Sequence, residues 1–93
     1  MLKTFDSFRA HCRSLGGKVL YTGARGKPFR VEVDGSSVFF IPESSGKKRT
    51  ASGEKTERVL ALLKESNEWS PVAYQAITYH ASYILAVAKD ASA

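Results

Sequence analysis

Residues 29–42 read FRVEVDGSSVFFIP, and the rest of the chain is arranged around this run. Phe29 to Val33 alternates large apolar and polar side chains, the period of a half-buried strand, and Ser36 to Ile41 is apolar enough to return beside it before Pro42 ends it. Asp34-Gly35 between them is a two-residue turn signal of the kind that accepts positive φ. With those two residues as the loop, Val33 faces Ser36, Val31 faces Val38 and Phe29 faces Phe40. All six then lie on one face, the predicted core face. The opposite face carries Arg30 beside Phe39, Glu32 beside Ser37, and Ile41 beside Pro28. A base, an acid and two large apolar groups mark that second face as half covered or as a binding surface.

Upstream, residues 18–23 (KVLYTG) are aromatic and β-branched enough for another strand, and 24–27 is the turn that leads from it into Pro28. These elements make a sheet over about 18–41. Thr4 is a natural N-cap, Phe5, Phe8, Cys12 and Leu15 recur at helical spacing, and Gly16-Gly17 stops the run, so a helix covers about 4–15. Downstream, 42–52 is a polar, basic loop. Thr56, Val59, Leu60 and Leu63 form the apolar stripe of a helix over about 53–65, with Glu54 and Glu57 at its positive end. Ser70-Pro71 starts another, an N-cap serine followed by proline at the first helical position, predicted to run to about 88. The order is α-β-β-β-α-α: an α+β fold, a three-stranded antiparallel sheet with helices packed on one face. At roughly 100–200 residues per domain, residues 1–93 make one small domain.

Fourteen Lys and Arg against nine Asp and Glu give a net charge of +5, unevenly placed. Residues 1–50 hold ten bases and four acids, whereas 51–93 hold four bases and five acids. Clustered positive potential points to an anionic partner through counterion release. The single cysteine, Cys12, lies on an apolar stripe and has no partner for a disulfide or at metal-ligand spacing. Together with the absence of a signal-like start, this gives a cytoplasmic expectation. The uncharged stretch Trp69–Ala88 contains Pro71, Gln75, Thr78, His80, Ser82 and five alanines, too weakly apolar for a membrane span.

Several motifs for chemistry fail on spacing. Ser44-Ser45-Gly46-Lys47-Lys48-Arg49 suggests a phosphate loop, but Ile41 stands where that loop needs its first glycine and Lys48 where it needs Ser or Thr after the Gly-Lys pair. His11 points about 100° from Cys12 on a helix, and His80 reaches it only if the two helices pack together, so no thiolate dyad is expected. No carboxylate pair or metal-ligand set is expected either, and no cofactor; the chain is read as a non-enzyme.

Arg25-Gly26-Lys27-Pro28 resembles the Arg-Gly-Arg-Pro core of AT-hook peptides, which lie in the DNA minor groove, with lysine in place of the central arginine. A hairpin turn accounts for the same glycine and proline. Antiparallel pairing brings the 24–27 and 42–52 loops to one edge of the sheet. There Arg25, Lys27, Arg30, Phe39, Lys47, Lys48 and Arg49 form the predicted nucleic-acid contact, DNA or RNA, with cations on phosphates and Phe39 at the groove or bases. The competing expectation is a protein-interaction module, such as an inhibitor or accessory subunit of a mobile element or defence system. It would use helix 70–88 or the Phe39 face, with Trp69, Tyr79 and Tyr83 at a partner or homodimer interface. Charge coherence separates the two: an unbroken basic surface favours nucleic acid, and interruption by Glu32 and Glu43 favours a protein.

Overall fold

A computed structural model describes residues 2–23 and 25–92, so the first residue of the 24–27 turn lies outside the described residues. The elements are α1 (Phe5–Leu15), β1 (Leu20–Tyr21), β2 (Pro28–Asp34), β3 (Ser37–Pro42), β4 (Arg49–Thr50), α2 (Gly53–Ser66), a 3-10 turn (Pro71–Tyr74) and α3 (Ala81–Ser92). The α+β class and the packing of helices on the sheet agree with the expectation. The antiparallel sheet, ordered β1-β2-β3-β4, gains a fourth strand. That strand is two exposed residues inside the basic loop, too short and too polar to leave a pattern in the sequence.

The hairpin register is corrected by two residues. Val33 pairs with Val38, Val31 with Phe40, Phe29 with Pro42, and Asp34 with Ser37, so Gly35-Ser36 is the loop. Gly35 has φ +61° while neither Asp34 nor Ser36 has positive φ, the pattern of a type II′ turn. An Asp34-Gly35 loop of type I′ would have forced an aspartate into the left-handed region, and glycine alone satisfies the observed turn. Because side chains alternate with period two, a shift of two preserves the faces. Phe29, Val31, Val38 and Phe40 are buried on the core side, and Arg30, Glu32, Phe39 and Ile41 stand on the other.

The core is built against that inner face. Phe8 of α1 meets Phe40 edge-on at 6.3 Å, and Tyr83 of α3 meets Phe29 and Phe40 at 4.9 and 5.3 Å. Val59, Leu60 and Leu63 of α2 join the same buried cluster. Thr4 caps α1 as expected, accepting from the Ser7 N–H, and Ser52 caps α2 by accepting from the Lys55 N–H, whereas Ser70, the other expected cap, makes no side-chain capping bond. Glu57 ties α2 to α1 by accepting from the Phe5 N–H at 2.7 Å.

The helix expected over 70–88 is two pieces. Pro71 starts a 3-10 turn that ends at Tyr74, whose buried ring sends its hydroxyl to the Glu68 carbonyl at 2.7 Å. Thr78 then accepts the His80 N–H at 3.1 Å, a bond that a continuous helix would direct to the carbonyl of Ala76. The chain re-enters a helix only at Ala81 and continues to Ser92. Ala73 and Ala76 are exposed, while Thr78, Ile84, Val87 and Ala88 are buried. No helix is long and apolar enough to cross a membrane among the described residues.

Candidate nucleic-acid interface

Both basic loops lie at one end of the sheet. The Glu43 N–H bonds the Pro28 carbonyl, which places the start of β2 beside the exit of β3. The 22–27 turn is closed by Thr22, whose carbonyl accepts from Gly26 and whose hydroxyl accepts from Lys27. On the other side the Gly46 N–H returns to the Pro42 carbonyl at 2.7 Å, with Gly46 at φ +66°. That tight turn sets the course of Lys47, Lys48 and Arg49 towards β4.

On the outer face the cations are taken. Arg30 Nε donates to Glu43 Oε1 at 2.5 Å, and this hydrogen bond holds the Glu43 carboxyl below its ordinary range. Lys48 Nζ sits 2.5 Å from Glu32 Oε2 and 5.4 Å from the centroid of the Phe39 ring. Phe39 is half-buried under this pair. Glu32 and Glu43 therefore interrupt the basic surface at Arg30 and Phe39, the residues expected to contact bases.

Beyond the strand end the charge is uncompensated. Arg25, Lys27, Lys47 and Arg49 are exposed and make no ion pair among the described residues. Lys27 shares the core-facing parity of Phe29, and Arg49 is the cross-strand partner of Phe40. Both project where the core opens at the end of the sheet. They line one cleft of about 540 Å3 with Pro28, Pro42, Ser44, Ser45 and Tyr83. Glu43 lines it too, already engaged by Arg30. The sequence placed Lys27 and Arg49 correctly in one cluster. It did not bring in Ser44, Ser45 or Tyr83, whose roles depend on the turn at Gly46 and on α3 starting late.

The three aromatics expected at a partner interface do not act together. Tyr79 is 93% exposed and lies outside α3, so it does not share a helical face with Tyr83. Tyr83 is turned inward onto Phe29 and Phe40. Trp69 is partly buried, its Nε1 donating to Asn67 Oδ1 at 3.1 Å. It lines a second, mainly apolar cleft of about 430 Å3 with Val19, Tyr21, Pro71 and Leu85.

Cys12 is buried, and burial pushes its thiol up to about 12, the reverse of what a nucleophile needs. His11 is directed elsewhere, its Nε2 at 2.8 Å from Asp90 Oδ2. Among the described residues no three His, Cys, Asp or Glu side chains come together in a way that could hold a metal ion. No protein-family model matches the chain, and neither does any curated protein or solved structure.

Proposed function

We propose that this protein is a binding module for nucleic-acid phosphates, working through the loop end of its sheet and not through the sheet face. The observation that carries this reading is the contrast in charge pairing. Arg30 and Lys48 are neutralised by Glu43 and Glu32, while Arg25, Lys27, Lys47 and Arg49 are left without acids at the end where the two loops converge. Exposed, unpaired cations on turns are the groups that displace condensed counterions from a phosphate backbone. Nothing in the reading requires a chemical step. DNA and RNA both satisfy it.

Fluorescence anisotropy across a salt series, on duplex and single-stranded oligonucleotides, tests the proposal. Binding at low salt should fall steeply with ionic strength. Lys27→Ala and Arg49→Ala should each weaken it and flatten the logarithmic slope by about one for every phosphate no longer neutralised. Arg30→Ala and Lys48→Ala should change it little. Absence of binding at low salt ends the nucleic-acid reading, and equal losses at all four positions return the interface to the sheet face.

A second reading, a protein-interaction surface such as a homodimer, is favoured by the interruption of the basic surface by Glu32 and Glu43 and by the exposure of Tyr79 at 93% and Tyr21 at 62%, since large aromatics so placed are common at interfaces. Sedimentation equilibrium decides it. A dimer that Tyr79→Ala shifts to monomer supports it, and a parent protein that stays monomeric at high concentration removes it.

A further inference from the structure

We propose that the cleft lined by Lys27, Arg49, Ser44, Ser45 and Tyr83 holds the 5′-phosphate monoester of a nucleotide. This rests on the reading of the sheet end as a phosphate-binding surface and gives that surface a specific ligand.

The balance of charge selects the monoester. Two cations from different loops line one concavity, and neither has an acid partner among the described residues. A phosphate monoester carries roughly −1.5 to −2 at neutral pH and matches them, whereas a diester, at one negative charge, leaves one cation uncompensated. The one carboxylate lining the cleft, Glu43, is held by Arg30 at 2.5 Å and is thereby balanced before a ligand arrives. Arg49 offers a planar fork that takes two phosphate oxygens at once, and Lys27 a point charge beside it.

Neutral donors complete the set. The Ser44 and Tyr83 hydroxyls make no hydrogen bond among the described residues. Ser45 Oγ accepts from the Lys47 N–H at 3.3 Å and keeps its own proton to donate. Tyr83 stands in the first turn of α3 and its side chain closes one wall of the cleft.

Volume and lining select the group attached to the phosphate. About 540 Å3 falls in the range of small-ligand sites, roughly 300–1,000 Å3, and exceeds the volume that a bare phosphate fills. The remaining wall is Pro28, Pro42 and the Tyr83 ring, which Phe29 and Phe40 hold in place from behind. A rigid apolar wall beside a cationic end suits a sugar and base. The nucleotide is free or stands at the 5′ end of a strand; the monoester chemistry is the same.

The test compares a nucleoside, its 5′-monophosphate, inorganic phosphate, and one short oligonucleotide with and without a 5′-phosphate, by calorimetry and NMR titration. The monophosphate should bind at least about tenfold tighter than the nucleoside, and the 5′-phosphorylated strand about tenfold tighter than its 5′-hydroxyl form. A charge-assisted hydrogen bond of ~1.5–3 kcal/mol corresponds to about tenfold or more. Arg49→Ala and Lys27→Ala should erase those differences, with unchanged circular dichroism because both residues are exposed. Arg49→Lys should keep part of the preference. Inorganic phosphate should bind more weakly than the monophosphate, and equal affinity for the two overturns the nucleotide assignment. A phosphoserine peptide that binds as tightly as the nucleotide overturns it as well. Equal affinity for phosphorylated and unphosphorylated strands, with salt-dependent binding intact, overturns the monoester site and leaves the sheet end as a backbone contact. Loss of all binding overturns both.

Discussion

Phe40 is fully buried, and its ring meets those of Phe8, Phe29, His80 and Tyr83 at centroid distances between 5.3 and 6.4 Å. Phe39, the preceding residue, points the other way under Lys48 and Glu32. The same side chain thus occupies two environments one residue apart. Phe40→Ala leaves a cavity among four rings and should cost about 3–5 kcal/mol. Phe39→Ala removes half-buried apolar area and one cation–π contact and should cost about 1 kcal/mol. Urea denaturation of the two variants side by side reads the difference. A larger loss at Phe39 than at Phe40 would mean that the hairpin faces are assigned the wrong way round.

At the scale of elements, Gly35 controls the hairpin. Its φ of +61° is one that an L side chain rarely adopts, although a Cβ there would meet no atom within 4 Å. Gly35→Ala should therefore destabilise by about 1 kcal/mol from backbone strain alone, and Ser36→Gly should cost less, since Ser36 does not need positive φ. Thermal melts of both variants check this, and a gain in stability from Ser36→Gly would favour a turn with positive φ at that position. The hairpin was legible because alternation survives any even shift in register: Phe29, Val31, Val38 and Phe40 stay inward whichever pair of residues forms the loop. The first two helices were legible through the Thr4 cap and their apolar spacing. Arg49-Thr50 carried no signal, because two exposed residues are held in the sheet only by pairing with Phe39 and Phe40. The break before Ala81 was hidden for another reason. Alanine-rich sequence suits a helix, but the segment opens as a 3-10 turn at Pro71–Tyr74 and the Thr78 hydroxyl takes the His80 N–H just before α3 begins. The site was half legible on the same grounds. Lys27 and Arg49 flank the ends of the β2–β3 hairpin, whose antiparallel pairing brings them together, but the neutralisation of Arg30 and Lys48 depends on side-chain geometry that residue order does not encode.

Across the whole molecule, the end of the sheet is coupled to the core through His80. Its imidazole meets the Phe40 ring edge-on at 6.1 Å and lies near Arg49 and Lys55. Burial first, then those two charges, hold its pKa below the ordinary 6.5. Between the folded and unfolded values the unfolded chain binds a proton that the folded protein resists, so stability rises with pH up to about the unfolded value. Acidification from neutral pH through 6.5 should therefore lower the unfolding free energy until the folded value is reached, and His80→Gln should flatten this part of the profile. Asp90 acts further down. The hydrogen bond from His11, assisted by Lys18, depresses its carboxyl below the ordinary 3.8, so its contribution is present above that value and lost as pH falls through the folded one. Each window has its own cause. Arg49 links the first of them to the proposed binding, because the charge that disfavours the imidazolium is the one proposed to meet phosphate. Arg49→Ala should raise the His80 pKa in an NMR titration, and a bound phosphate monoester should raise it in the parent protein by placing negative charge beside the ring. A His80 titration that ignores both the substitution and the ligand would separate the cleft from the core and leave Arg49 as a solvated surface charge.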